Sequence, residues 1–198
     1  MSAHRSYSEK VMEIFTRHSQ YAAHALAEFN AAQTQLELER VIDIVQLLAP
    51  EFRAVAEQKV ATLERLLQGY KELYSGFIVS MNREMVNATA LLPEAERTSE
   101  ISRLARTTQE RIDEQAEFYA ARERWISAVR ALSRLVAANV ESIFVEEGEL
   151  LCSDDEALDQ ISRVQHELQS CARIEQQIVQ ARVARISAGL GMLGARSR

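Results

Sequence analysis

The sequence predicts an all-α protein, an elongated antiparallel four-helix bundle with coiled-coil packing and long helices, from three observations. The 198 residues are 47% hydrophobic but only 6% aromatic, with six glycines and two prolines. Alanine, leucine, glutamate, glutamine and arginine dominate, and these residues lose little side-chain entropy in a helix. Apolar residues recur at spacings of three and four, and no alternation with a period of two predicts a strand. Because glycine and proline, the residues that favour turns, are scarce, the helices are expected to be few and long.

Helix 1 is predicted over residues 6–48. Ser6 stands three residues before Glu9, the spacing of a capping box, in which the two side chains satisfy backbone N–H groups at the start of a helix. Apolar side chains then recur every three or four residues as far as Leu48. Pro50 ends this helix and suits the first turn of the next, so we expect a very short connection.

Helix 2 is predicted over residues 51–91, and it carries the clearest coiled-coil pattern. Two series of apolar residues interleave at spacings of four and three, and each series repeats every seven residues. The first series is Ala56, Leu63, Tyr70 and Phe77, and the second is Val60, Leu67, Tyr74 and Met81. Pro93 ends this helix and opens the third.

Helices 3 and 4 are predicted over residues 94–147 and 153–188. Gly148 is a favourable residue just past a helix end, and Ser153 with Glu156 has the spacing of a second capping box. Because the connections are short, neighbouring helices are expected to run antiparallel in a single domain over residues 1–188. Two arrangements satisfy the apolar stripes: an up-down-up-down bundle of one chain, or an elongated helical hairpin that dimerises along its length.

Residues 189–198 contain three glycines with the spacing of a dinucleotide-binding loop, namely Gly189, Gly191 and Gly194. Such a loop follows a strand and opens a helix, whose first N–H groups bind the pyrophosphate. Here the glycines follow a predicted helix, and only four residues come after the last of them. We therefore expect no nucleotide cofactor, and we interpret Gly189 as the end of helix 4 and residues 189–198 as a flexible basic tail.

The residue patterns of metal sites and of catalytic sites are missing from the sequence. No Glu-x-x-His or His-Glu-x-x-His motif occurs, and Cys152 and Cys171 do not form a Cys-x-x-Cys pair. His18 lies on an apolar stripe and Cys171 lies between apolar residues, so both are interpreted as packed residues. Enzymes usually carry their sites on loops, of which this chain has few, so we predict no metal, no cofactor and no enzymatic activity.

A strongly acidic region spans the connection between helices 3 and 4. Between Arg134 and Arg163 there are eight acidic residues and no lysine or arginine. Glu146 and Glu147 fall in the predicted last turn of helix 3, where negative charge opposes the helix dipole, so helix stability does not explain them. Two interpretations stay open: a solvated turn that maintains solubility, and a docking surface for a basic partner. The acidic candidates for partner binding are Glu146, Glu147, Glu149, Asp154 and Asp155.

The other end of helix 4 has the opposite charge, with five arginines and one acidic residue from Ser170 to Arg198. Opposite charges at the two ends of a rod favour head-to-tail self-association. Trp125 is a further candidate, either as an interface anchor or as a core residue, because tryptophan is enriched at interaction hot spots. The basic candidates for partner binding are Arg182, Arg185, Arg196 and Arg198.

These patterns predict a non-enzymatic helical interaction protein, a scaffold, adaptor or assembly subunit that binds protein partners through coiled-coil faces and charged ends. The net charge of −6 disfavours nucleic acid as a partner. Two cysteines and an N-terminal segment without an apolar region favour the cytoplasm. The alternative is peripheral binding to a membrane surface, since BAR-type elongated helical dimers resemble this chain in length and helix count. Only three of its residues are lysines, which counts against that alternative.

Overall fold

Long helices form most of the protein in the computed structural model. The structure describes residues 3–147 and 149–196, except for the side chains of residues 182, 183 and 185–196. The helices are α1 (Ala3–Thr34), α2 (Ile44–Leu47), α3 (Pro50–Ala88), α4 (Glu94–Ala138) and α5 (Asp155–Arg196), and the strands are β1 (Ile143–Glu146) and β2 (Glu149–Cys152). Short 3₁₀ helices cover Arg40–Ile42 and Thr89–Leu91. The predicted all-α class therefore holds, with one short β-hairpin added.

The first predicted helix is divided in the structure. α1 begins at Ala3 rather than at the predicted cap Ser6, and it ends at Thr34. Glu37 then adopts a φ of 47°, a left-handed conformation that interrupts a right-handed helix. Asp43 starts α2, because its side chain accepts hydrogen bonds from two backbone N–H groups of the following turn. The prediction of one helix over residues 6–48 is therefore wrong.

The connection between α3 and α4 lies at Pro93. A 3₁₀ turn follows α3, and Arg97 in the first turns of α4 reaches back to satisfy its carbonyl groups. Arg97 Nε donates to the carbonyl oxygen of Leu92 at 2.9 Å, and its Nη2 donates to that of Ala90 at 3.0 Å. Pro93 has no N–H to lose at this position, which is why the new helix starts directly after it.

The structure replaces the end of the third predicted helix with a hairpin. α4 ends at Ala138, and the amide nitrogen of the Asn139 side chain donates to the carbonyl oxygen of Leu135 at 2.9 Å. Asparagine competes for backbone hydrogen bonds in this way, and the first strand that follows contains three consecutive aromatic or β-branched residues, over 143–145. The helix predicted over residues 94–147 and the prediction of no strand are therefore both wrong after residue 138.

α5 begins one residue later than the predicted cap suggests and continues past the glycines. Asp154, not Ser153, caps it, since its Oδ1 accepts from the N–H groups of Glu156 at 2.9 Å and Ala157 at 3.1 Å. The helix continues through Gly189 to Arg196, so neither the helix end at Gly189 nor a non-helical tail from residue 189 is found. A glycine inside a helix costs about 1 kcal/mol relative to alanine, which weakens a helix without ending it.

The chain divides into two compact units, and α3 and α4 contribute to both. Unit 1 comprises residues 1–37 and 62–116, and unit 2 comprises residues 38–61 and 117–198. The assignment of residues 1–188 to a single bundle domain stays a prediction.

In unit 1, α1 runs antiparallel to α3. The Phe29 ring stacks on Tyr70 with centroids 4.9 Å apart, and the Tyr21 ring, earlier in α1, stacks on Phe77, later in α3, at 6.3 Å. Further toward the start of α1, its apolar side chains pack with α3 and α4 in a buried cluster. The buried members of this cluster are Ile14, Met85, Ala88 and Leu104.

Unit 2 is built around two helical seams that face each other. On α5, the inward positions alternate at spacings of four and three, and they are Ala157, Ile161, Val164, Leu168, Cys171, Glu175 and Ile178. On α4, the corresponding positions are Phe118, Arg122, Trp125, Val129, Leu132 and Val136. The two helices run antiparallel, because Arg122 contacts Glu175, whereas Arg124, further along α4, contacts Glu167, earlier in α5. Each seam is therefore apolar apart from one charged residue that points at the other helix.

Candidate functional site

The acidic hairpin, which we define as residues 143–152, is a two-stranded antiparallel sheet in unit 2. The register pairs Ile143 with Cys152, Phe144 with Leu151, Val145 with Leu150 and Glu146 with Glu149. Two residues separate the paired Glu146 and Glu149, and the first of them, Glu147, adopts the positive φ of 51° that a type I′ turn requires at that position. The N–H of Ser153 donates to the carbonyl oxygen of Ser142 at 2.9 Å, so the pairing continues one step beyond the strands.

Both faces of the acidic hairpin expose apolar side chains. Successive residues of a strand point to opposite faces, so Ile143, Val145 and Leu150 share one face and Phe144 lies on the other. Ile143 is buried, but Val145 and Leu150 are 47% and 41% exposed, and Phe144 is 43% exposed. An antiparallel sheet with one packed face normally presents polar residues on the other. The hairpin therefore carries more apolar surface than unit 2 covers.

Acidic residues flank the exposed apolar residues of the hairpin. Glu146 and Glu149 lie directly opposite each other, and like charges in that arrangement destabilise a sheet. Among the side chains that the structure describes, which do not include those of Arg182, Arg185 and Arg196, no ion pair joins Glu141, Glu146, Glu147 or Glu149 to a basic side chain. Neither hairpin stability nor charge pairing explains these residues, so their negative charge faces outward.

The remaining acidic candidates, Asp154 and Asp155, lie at the start of α5. Asp154 is the N-cap, and Asp155 lies in the first turn, where negative charge complements the helix dipole. Both residues therefore have a structural explanation, and both are exposed beside the acidic hairpin. Their predicted role in partner binding stays a prediction.

Trp125 is buried in the seam of α4 in unit 2. The guanidinium carbon of Arg122 lies 6.0 Å from the centre of its ring, within the range of a cation–π interaction. Arg122 Nη2 in turn lies 2.6 Å from Glu175 Oε2 across the seam. The tryptophan therefore packs around a buried ion pair, and its role as an interface anchor stays a prediction.

The basic candidates Arg182, Arg185, Arg196 and Arg198 lie outside the described side chains, and Arg198 lies outside the described residues altogether. The membrane alternative depends on these residues. Among the described residues, no helix combines the length and the apolar character needed to cross a bilayer.

A second polar group lies in unit 1, where α1 meets α3. Nε2 of the buried His18 lies 3.0 Å from Glu84 Oε1, and Arg17 also contacts the Glu84 carboxylate. The hydrogen bond from His18 lowers the pKa of Glu84, which keeps the carboxylate charged against its neighbours. The group joins two helices in a fixed arrangement, as expected for a packed histidine.

Other reactive groups are few in the described part of the chain. Cys171 is fully buried, and burial raises the pKa of its thiol, so it has the properties of a structural cysteine. No group of three or more histidine, cysteine, aspartate or glutamate residues is placed to hold a metal ion among the described residues.

The acidic residues of the hairpin are candidates from the sequence alone, whereas its exposed apolar residues Phe144, Val145 and Leu150 become candidates only in the structure. The signal was present in "IFVEEGELL", in which a Glu-Gly pair separates two short runs of strand-forming or apolar residues. Asn-Gly and Asp-Gly are the strong turn signals, and Glu-Gly is a weaker form of the same pattern.

Comparisons with protein families, with curated proteins and with solved structures found no match.

Proposed function

We propose that this chain is a non-enzymatic interaction protein whose acidic hairpin docks a basic protein partner. The observation that carries the proposal is the combination of half-exposed Phe144, Val145 and Leu150 with exposed glutamates on the same two strands, which pair with none of the described basic side chains. Apolar surface supplies affinity when it is removed from water, and the surrounding charge selects and steers a partner of opposite sign.

The magnitudes favour a protein partner over a small ligand. Burying a large apolar side chain fully contributes about 1.5–3 kcal/mol, so three half-exposed residues contribute a few kcal/mol on docking. That is modest for a complete interface, so the acidic residues around them are expected to make the binding dependent on salt. A hairpin with exposed side chains on both faces offers no enclosed cavity for a small molecule.

The helices are proposed to serve as a scaffold in an antiparallel four-helix arrangement. This is supported by the antiparallel contacts of α1 with α3 in unit 1 and of α4 with α5 in unit 2. A scaffold of long helices holds a short hairpin in one orientation, which lowers the entropy that docking must overcome.

Affinity capture with charge-reversed variants tests the proposal. Glu146→Lys combined with Glu149→Lys reverses the hairpin charge, and Glu110→Lys combined with Glu117→Lys makes the same change on exposed positions of α4. Binding partners that the wild type and the α4 variant retain, and that the hairpin variant loses, are expected to be basic. Equal capture by all three proteins contradicts the proposal.

An alternative occupant of the acidic hairpin is a second copy of this chain, which would bind through its arginine-rich C-terminal segment. Light scattering at low and high salt distinguishes it from a different protein. A mass that doubles at low salt in the wild type, and does not in the hairpin variant, identifies self-association. An unchanged monomer mass at both salt concentrations excludes it.

A further inference from the structure

A groove runs between α4 and α5 in unit 2, separate from the acidic hairpin. Its volume is about 370 Å³, near the lower end of the range for protein binding sites. None of the described hairpin residues lines it, so the hairpin of one chain does not fill the groove of that chain. The lining of this arginine groove, as we name it, includes Ala128, Ala131, Val164, Arg124, Arg163 and Glu167.

The two arginines have N–H groups that no described side chain uses. Arg124 Nη1 lies 3.9 Å from Glu167 Oε1, which is too far for a hydrogen bond. Arg163 Nη2 lies 4.0 Å from Asp159 Oδ2, and 79% of the Arg163 side chain is exposed. Two arginines against one glutamate make the lining locally positive, although the chain is acidic overall. The arginine groove therefore attracts carboxylates, which a guanidinium binds through two parallel hydrogen bonds.

Apolar residues lie between the two arginines. Ala128 follows Arg124 by one turn of α4, which is about 6 Å along the helix axis. Glu167 of α5 is the residue that contacts Arg124. Since the two helices run antiparallel, Arg163, one turn earlier in α5, lies toward Ala131 at the other end of the groove. An occupant therefore meets small apolar side chains in the middle and a guanidinium toward each end.

The acidic hairpin has the complementary pattern. Phe144 shares one face of the two strands with Glu146 and Glu149, because successive residues of a strand point to opposite faces. Glu146 lies two residues from Phe144, about 7 Å along the strand. That distance is close to the spacing of about 6 Å between the apolar floor of the groove and Arg124. Phe144 is 43% exposed, so it has apolar surface left to bury on such a floor.

We propose that the acidic hairpin docks in the arginine groove of a second copy of this chain. Phe144 packs on the apolar floor, and Glu146 and Glu149 bind the arginines. This inference rests on the proposed function and names both the partner and its surface, which is the groove and not the C-terminal segment. Each copy carries one hairpin and one groove, so a reciprocal exchange makes two equal contacts and closes a dimer.

Exchanging charges between two variants tests the contact. The groove variant combines Arg124→Glu with Arg163→Glu, and the hairpin variant is Glu146→Lys combined with Glu149→Lys. All four positions are exposed, so both variants are expected to fold, which circular dichroism verifies. In each variant alone, the hairpin and the groove carry charge of the same sign. In an equimolar mixture of the two variants, both contacts of a mixed dimer join opposite charges again.

Light scattering of the full-length proteins at low salt measures the result. We expect the mass of a dimer for the wild type and for the mixture, the mass of a monomer for each variant alone, and dissociation of the dimers by added salt. A wild type or a mixture that stays monomeric overturns the inference. Association that the hairpin variant loses and the groove variant keeps also overturns it, because the hairpin then docks on another surface, as the proposed function still allows.

A matched pair of alanine variants identifies the face of the hairpin that docks. Phe144 and Val145 are 43% and 47% exposed and lie on opposite faces. Phe144→Ala is expected to weaken the dimer about tenfold, and Val145→Ala by less than about twofold. Equal effects of the two variants overturn docking through the Phe144 face. If the wild type is monomeric but the hairpin variant loses basic partners in affinity capture, this inference alone is wrong; if capture is also unchanged, the proposed function is wrong as well.

Discussion

Unit 1 and unit 2 place the ion pairs between their helices differently. In unit 1, Arg17 of α1 contacts Glu84 of α3 on the flank of the helix pair, and 43% and 36% of their side chains are exposed. In unit 2, Arg122 and Glu175 occupy facing seam positions, with 12% and 13% of their side chains exposed. A pair on an exposed flank contributes little to stability, whereas a buried pair strongly disfavours any arrangement that separates it.

The buried pair in unit 2 therefore specifies the alignment of α4 and α5 more than it adds stability. Burial is the largest influence on both groups, since it lowers the pKa of Arg122 and raises the pKa of Glu175 while each partner's charge opposes it. In addition, Arg122 Nε and Glu175 Oε1 have no hydrogen-bond partner among the described residues. A single charged residue in each seam therefore selects which turns of α4 and α5 face each other, as buried polar residues do in coiled coils.

The largest expected effect comes from breaking the buried pair. Arg122→Met leaves the Glu175 carboxylate buried without its partner and is expected to lower the free energy of unfolding by about 3–5 kcal/mol at pH 7. Urea unfolding followed by circular dichroism measures it. The loss should become smaller as the pH falls, because protonation removes the buried charge of Glu175. Burial raises the pKa of this carboxyl group in the folded state, so its contribution to stability is fully present below the pKa of the unfolded chain. That contribution is lost as the pH rises through the folded-state pKa.

The matched control replaces both charges. Arg122→Met combined with Glu175→Leu removes the buried charges together and is expected to recover most of the lost stability, or to exceed the wild type. If the pair specifies alignment, the double variant shows broadened or duplicated NMR signals along α5 at wild-type stability. Sharp single signals would instead show that packing alone sets the alignment.

A smaller effect is expected at a polar contact between α1 and α4 in unit 1. The Tyr7 hydroxyl donates to Glu100 Oε1, and Arg103 also binds that carboxylate. These hydrogen bonds, that of Arg103 above all, lower the pKa of Glu100 to about 2, and burial together with Glu100 raises the pKa of Tyr7 to about 12. Tyr7→Phe is expected to lower the free energy of unfolding by about 1 kcal/mol at pH 7.

The pH dependence of this variant has a defined sign. The pKa of Glu100 is lower in the folded state than its ordinary value of 4.5, so the ionised carboxylate stabilises the fold above pH 4.5. That contribution is lost as the pH falls toward 2. Tyr7→Phe moves the pKa of Glu100 upward, so the difference from wild type narrows below about pH 4. A difference that stays constant from pH 7 to pH 2 would assign the effect to packing of the ring.

The smallest effect is expected at an ion pair within one helix. Arg5 Nε lies 2.9 Å from Glu9 Oε1 in α1, with 72% and 55% of the side chains exposed. Arg5→Gln is expected to change the free energy of unfolding by less than about 0.5 kcal/mol, and added salt should remove even that. A loss of more than about 1 kcal/mol in the free energy of unfolding would mean that exposed and buried ion pairs contribute more similarly to stability than the comparison of unit 1 with unit 2 indicates.

The structural features that depend on proline and on the spacing of apolar residues were predictable from the sequence. Pro93 located the connection between α3 and α4, and the period of seven in α3 indicated a helical seam. The charged seam positions Arg122 and Glu175 were also readable from the spacing of three and four, but their pairing requires the alignment of two helices. Sequence alone does not contain that alignment.

The errors arose where local hydrogen bonding competes with helix propensity. Asp43 with Gln46 is a capping signature inside a helix-like apolar pattern, and the Gln46 side chain donates back to Asp43 Oδ2 at 3.0 Å. Glu147 adopts a positive φ that its residue type rarely predicts. Gly189 does not end α5, because one glycine lowers helix propensity by an amount that a long helix tolerates.

The opposed glutamates at the hairpin tip have a consequence for the behaviour of the protein in concentrated solution. Exposed edge strands with apolar residues tend to stack into intermolecular sheets, and acidic residues flanking such a segment act as gatekeepers. Two copies of this hairpin would bring Glu146 and Glu149 of each against the same charges of the other. Repulsion between these glutamates therefore disfavours the stacking of one hairpin on another in concentrated solution.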